Sequence, residues 1–129
     1  MEAEILVVDD SAAIRKILQR VLRQTGMAIG TIMEAGDGEE ALAVLKTHKV
    51  HLVLTDINMP KMDGLQFLGR MKENANWEAI PVVMITTEGG ETKVAEAVRL
   101  GAAGYVRKPF TADQIKEKLA GLLEPALPL

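Results

Sequence analysis

Cysteine is missing altogether from these 129 residues. That excludes disulfides and thiolate metal sites, and it suits a reducing cytosol. Aromatic residues are almost as scarce, with one Trp, one Tyr and two Phe, so a flavin site that sandwiches its ring between aromatic side chains has little to be built from. No apolar run approaches the ~20 residues that a membrane helix needs. Met1-Glu2-Ala3-Glu4 leads straight toward a strand rather than into a signal peptide. Neither sign of charge dominates, since 15 basic residues face 18 acidic ones for a net charge of −3. Nothing in that balance calls for a nucleic acid or a membrane surface as partner. Repeats, low-complexity tracts and linkers are lacking too. The predicted location is the cytoplasm.

What is present is a regular alternation of apolar runs and amphipathic stretches. The length suits one domain over 1–129, with a core of about 3–123 and a short tail 124–129 after which no output domain is expected. Ile5-Leu6-Val7-Val8 reads as the first strand. Ser11 caps a helix carrying Ile14, Ile17, Leu18, Val21 and Leu22 on one stripe, with Arg15, Lys16, Gln19, Arg20 and Arg23 outside and Gly26 as its stop. A second strand is expected from Thr31 to Ala35. Asp37 and Glu40 then have capping-box spacing ahead of Ala41, Leu42 and Leu45. The third strand, Leu52-Val53-Leu54, runs into Thr55 and Asp56. Asp63 and Gln66 open a helix using Leu65, Leu68 and Met71. Val82-Val83-Met84-Ile85 is the fourth strand, followed by a helix with Val94, Ala97 and Val98 inward. Gly89-Gly90 is read as a flexible entry to that helix. Gly104-Tyr105-Val106 is the fifth strand, and Thr111 with Gln114 caps a last helix whose inner face holds Ile115, Leu119, Leu122 and Leu123. His48 and His51 are read as solvated, Trp77 as a cover for the end of the third helix, and Met59 and Met62 as core filler that also lines a partner surface.

Five βα units of this length require crossover connections. They predict an α/β fold, a parallel sheet with helices on both faces, and strands that are apolar throughout because both faces are buried. The strand order 2-1-3-4-5, borrowed from flavodoxin-like doubly wound folds, makes strands 1 and 3 neighbours at roughly 5 Å. Asp9, Asp10, Asp56, Thr86 and Lys108 each stand where an apolar run ends. All five side chains therefore emerge along one sheet edge.

Three carboxylates gathered there repel one another. Two unit charges ~4 Å apart cost about 4 kcal/mol at an effective dielectric near 20, so the cluster either takes up protons or holds a cation. All-oxygen ligation favours a hard ion, and Mg2+ fits because it binds through one or two carboxylates plus a substrate phosphate. In such a site Asp56 can attack phosphorus as a carboxylate, while Lys108 and the Thr86 hydroxyl each hold a phosphoryl oxygen.

With these residues in view, the chain resembles a bacterial response-regulator receiver domain of the stand-alone, chemotaxis-regulator kind. The resemblance rests on Val7-Val8-Asp9-Asp10-Ser11, on Leu54-Thr55-Asp56-Ile57-Asn58-Met59-Pro60-Lys61-Met62-Asp63-Gly64, on Val83-Met84-Ile85-Thr86-Thr87-Glu88 and on Gly101 through Phe110. It implies that Asp56 accepts a phosphoryl group from a histidine kinase, with Mg2+ on Asp9, Asp10, Asp56 and the Asn58 backbone carbonyl. It further implies that Lys108 pairs with the phosphoryl group, that the bond before Pro109 is cis, and that Asn58 and Glu88 adjust the lifetime of the acyl phosphate. Thr87, larger than the residue many receivers carry there, restricts access to Asp56. Thr86 and Tyr105 are implied to act as a coupled switch that reports to a downstream protein through the fourth helix, fifth strand and fifth helix, roughly Glu91 to Leu123. The domain is expected to be a monomer and a phospho-acceptor rather than an enzyme. A relay that hands phosphate to a histidine phosphotransfer protein is the alternative within the class. A small aspartate-dependent phosphohydrolase is the alternative outside it, weakened by Asn58 standing where a second acid is needed.

Overall fold

The structure, a computed structural model, describes residues 2–87 and 91–123. Strands and helices alternate as β1 (Ala3–Val8), α1 (Ala12–Gln24), β2 (Ile29–Ala35), α2 (Gly38–Thr47), β3 (Leu52–Thr55), α3 (Gly64–Lys72), β4 (Val82–Thr86), α4 (Glu91–Arg99), β5 (Gly104–Arg107) and α5 (Ala112–Leu123). All neighbouring strands are parallel, in the order β2-β1-β3-β4-β5. The expected doubly wound, flavodoxin-like α/β fold is the one observed.

Side chains along a strand alternate between faces, and here both sets are apolar. Ile5, Val7, Leu52, Leu54, Val83, Ile85 and Val106 point to one face, where Leu18 and Leu22 of α1 and Ile115 and Leu119 of α5 cover them. Leu6, Val8, Val53, Val82 and Met84 point to the other, under Ala41 and Leu45 of α2, Phe67, Leu68 and Met71 of α3, and Ala97 of α4. Every residue of β3 and β4 is buried as a result.

Helix starts follow the predicted caps. The Ser11 hydroxyl accepts from Ile14 N at 3.2 Å, and Asp63 and Gln66 make a reciprocal capping box. Thr111 and Gln114 do the same at α5. At α2 only half of the box forms. Asp37 accepts from Glu40 N, but the Glu40 carboxylate reaches back to Gly36 N at 2.9 Å instead of to Asp37. Gly26 follows the α1 C-cap with φ 77, a left-handed conformation in which Cβ would be strained.

Several packing expectations need correction. Phe67, not counted in the α3 stripe, is fully buried, whereas Leu65 is half-buried. Val98 is 61% and Ile17 44% exposed, each on the margin of its helix's inner stripe. β2 begins at Ile29, two residues before the predicted Thr31. His48 is exposed, but His51 is tied into the sheet, its Nδ1 accepting from Glu4 N at 2.9 Å where β1 and β3 begin. Met59, Met62 and Trp77 are partly buried against the α2–α3–α4 side of the core. The tail 124–129, Gly89-Gly90 and the side chain of Leu123 lie outside the described residues. Among those described, no helix is long and apolar enough to cross a membrane.

Candidate functional site

The register of the central strands builds the site. Val8 pairs with Thr55 across the β1–β3 seam, so Asp9 and Asp56, one residue on, leave the sheet side by side. Backbone bonds fix both: Asp9 N donates to Ala35 O at 3.1 Å and Asp56 N to Val8 O at 2.9 Å. Asp9 and Asp56 are buried, at 1% and 9% exposure, while Asp10 is exposed. One oxygen from each of the three carboxylates lies within 4.8 Å of the other two.

Lys108 enters from β5. Its backbone N donates to Thr86 O at 2.9 Å, and the Lys108–Pro109 bond is cis. Its Nζ lies 2.7 Å from Asp9 Oδ2 and 3.4 Å from Asp56 Oδ2. The remaining oxygens are tied to backbone, since Asp9 Oδ1 accepts from Ser11 N at 2.9 Å and Asp56 Oδ1 from Ile57 N at 2.7 Å. One ammonium offsets one of three negative charges. A cluster of hard oxygen donors with charge left over fits a divalent cation such as Mg2+.

Thr86 ends β4 fully buried. Met84 is level with Tyr105 in the β4–β5 register, so alternation puts Thr86 and Tyr105 on one face of the sheet. Tyr105 is 39% exposed. Asn58 is exposed in the loop after β3, and Glu88 lies outside the described residues. Thr87 is exposed beside a cleft of about 310 Å³ that it lines with Ile14, Ile17, Lys108, Pro109 and Phe110.

The structure adds residues that the sequence reading passed over. Gly64 N donates to Ile57 O at 2.8 Å, and a Cβ on Gly64 would lie 2.1 Å from the Asp56 carbonyl oxygen. A Cβ on Gly38 would meet Met62 Cγ at 2.6 Å. Lys61 turns the loop between them with φ 64. These close approaches press the Asp56–Asp63 loop against α2 and α3. A glycine directly after the Asp63 cap was the available signal. Arg15, read as surface cover, instead donates from Nε to Glu34 Oε1 at 2.8 Å and from Nη1 to the Asp9 carbonyl.

Strand order and an edge cluster of this kind place the chain among CheY-like, flavodoxin-fold proteins. The family model for the response regulator receiver domain matches residues 5–120, and the chain belongs to that family. A chemotaxis protein CheY homolog of Campylobacter jejuni is 39% identical over 121 residues, covering 93% of this chain and 92% of its own. Vibrio cholerae CheY4 superposes with a TM-score of 0.85 at 31% identity, over 95% of this chain and 99% of its own. The CheY of a CheX–CheY–BeF3–Mg2+ complex from Borrelia burgdorferi gives 0.85 at 31%, over 94% and 89%. The chain is thus a receiver domain of the chemotaxis, CheY-like kind, a component of two-component signalling.

Proposed function

We propose that Asp56 accepts a phosphoryl group from a histidine kinase in a Mg2+-dependent reaction, and that the phosphorylated domain binds a downstream protein of chemotaxis type. The observation that carries this reading is the setting of the Asp56 carboxylate. One oxygen is held by Ile57 N at 2.7 Å, and the other faces the Lys108 ammonium at 3.4 Å beside two further acids. Oδ2 is the nucleophile. It forms a bond to phosphorus as the bond from phosphorus to the donor's imidazole nitrogen breaks, and the imidazole leaves with a proton from solvent.

Asp9, Asp10, Asp56 and the Asn58 carbonyl would hold Mg2+, which when bound offsets charge between the carboxylates and the incoming phosphoryl oxygens. Lys108 then shifts from the Asp9 and Asp56 carboxylates to a phosphoryl oxygen, exchanging one charge-assisted bond for another. The Thr86 hydroxyl donates to a second. Movement of Thr86 makes room on the face it shares with Tyr105, whose ring turns inward and alters the α4–β5–α5 surface read by the partner. Asn58 and Glu88 set how long the acyl phosphate lasts. The domain works as a monomeric phospho-acceptor that assists its own phosphorylation and dephosphorylation, not as an enzyme. The chemotaxis relatives support the class of output, and the Borrelia neighbour, a CheY captured with CheX, BeF3 and Mg2+, supports the kind of chemistry.

Incubation with acetyl phosphate and Mg2+, followed by intact mass, tests the reading. The wild type should gain one phosphoryl group and Asp56→Asn none; equal gain in both would remove Asp56 as the acceptor.

A further inference from the structure

Asp10 is the weakly held member of the acidic cluster. Asp9 is fixed at its backbone N by Ala35 and at its carboxylate by Ser11 N and Lys108. Asp56 is fixed by Val8 O and Ile57 N. The exposed Asp10 carboxylate makes no side-chain hydrogen bond among the described residues. Its place within the cluster is therefore set by its backbone. The deciding element is the peptide joining Asp9 to Asp10, because a change in Asp9 ψ that is not offset at Asp10 φ moves the Asp9 carbonyl and swings the Asp10 Cβ toward or away from Asp56.

One side chain holds that plane. Arg15 Nη1 donates to the Asp9 carbonyl oxygen, and Arg15 Nε donates to Glu34 Oε1 at 2.8 Å. Glu34 stands on β2 level with Val7, so its anchor belongs to the sheet and not to the loop. The Arg15 hydrogen bond holds the Glu34 carboxyl below its usual range, against burial that pushes it up. Arg15 is only 19% exposed, and its backbone N donates to Ser11 O at 3.1 Å within the first turn of α1. A guanidinium can span sheet and loop in this way because its donors are set in a rigid fork, which a lysine ammonium lacks.

We infer that Arg15, anchored by Glu34, is a positioning residue for the cation site: it fixes the Asp9–Asp10 peptide so that the Asp10 carboxylate faces Asp56. The inference rests on the metal-dependent phospho-acceptor reading above. Groups that orient metal ligands without touching the metal typically contribute 10–100-fold to affinity. The sign of the effect separates positioning from charge. Removing a cation beside three carboxylates would, through charge alone, tighten Mg2+ binding, whereas loss of positioning weakens it.

Calorimetric titration with Mg2+ on wild type, Arg15→Ala, Arg15→Lys and Glu34→Gln provides the test. Arg15→Ala should weaken Mg2+ about tenfold or more. Arg15→Lys, which keeps the charge but loses the fork, should weaken it too, and Glu34→Gln by a smaller factor. In metal-free protein, amide exchange at Asp10 and Ser11 should speed up in Arg15→Ala while β4 and β5 stay unchanged. Affinity for Mg2+ equal to or tighter than wild type in Arg15→Ala would overturn the inference. Should that variant fail to fold, unchanged affinity in both Glu34→Gln and Arg15→Lys would overturn it equally. If the wild type itself binds no Mg2+, the phospho-acceptor reading falls and this inference with it.

Discussion

The Lys108 ammonium bonds Asp9 at 2.7 Å across 99 residues of chain, closer than its 3.4 Å approach to Asp56. Lysine is thus the resting counter-charge of the acidic edge, spanning from the end of β5 back to the end of β1. In Lys108→Met two buried carboxylates lose their shared partner, and urea unfolding without Mg2+ should show a loss of about 2 kcal/mol. Saturating Mg2+ should narrow that gap, because a bound cation takes over the neutralising charge. A gap that ignores Mg2+ would mean that lysine and cation do not share one cluster.

Two glycines of α3 predict opposite outcomes. At Gly64 an added methyl meets the Asp56 carbonyl oxygen at 2.1 Å, and backbone must shift to admit it. Gly64→Ala should cost about 3 kcal/mol in urea unfolding and slow phosphorylation, since the displaced atoms belong to the acceptor. At Gly69 nothing lies within 4 Å of the added Cβ. Gly69→Ala should therefore stabilise by roughly 0.5–1 kcal/mol and leave phosphorylation unchanged.

Stability should also vary with acid through Glu34. Its carboxyl is held below the ordinary value of 4.5, chiefly by the Arg15 hydrogen bond. A depressed carboxylate contributes stability that is present above its unfolded value and disappears as pH falls through the folded one. Wild type should therefore exceed Glu34→Gln in unfolding free energy at pH 7, with the difference shrinking below about pH 4.5. A difference independent of pH would show that the pair contributes through packing alone.

Tyr105 is the sole tyrosine of the chain, which makes its ring a built-in reporter. NMR of that ring should show reduced solvent access on phosphorylation from its resting 39% exposure. Thr86→Ala should still accept phosphate but lose this response and bind its partner more weakly. An unchanged ring response in phosphorylated Thr86→Ala would uncouple the two residues.

The sheet and its acidic edge were legible because parallel strands buried on both faces read as unbroken apolar runs. Each functional side chain simply follows the end of a run. Contacts made across the chain were not legible. Arg15 finds Glu34 nineteen residues away and Glu4 N finds His51 forty-seven away, and no local period encodes either. Phe67 escaped because the stripe it belongs to, with Leu68 and Met71, starts at Gly64, a residue with no side chain to mark it. For Ile17 and Val98 the period gave a direction but not the width of surface the sheet can cover.

The first residues of β1 and the last turn of α5 both lie at the pole opposite the acidic edge, where Gly121 and Leu122 line a cleft together with Val50, His51, Ile80 and Pro81. Parallel strands of this length put that pole roughly 15–20 Å from the carboxylates. Protein coupled to a sensor chip through Gly121→Cys, at a position with open space for the new side chain and in a chain with no other thiol, would consequently be held mouth-outward and should receive phosphate as readily as protein free in solution.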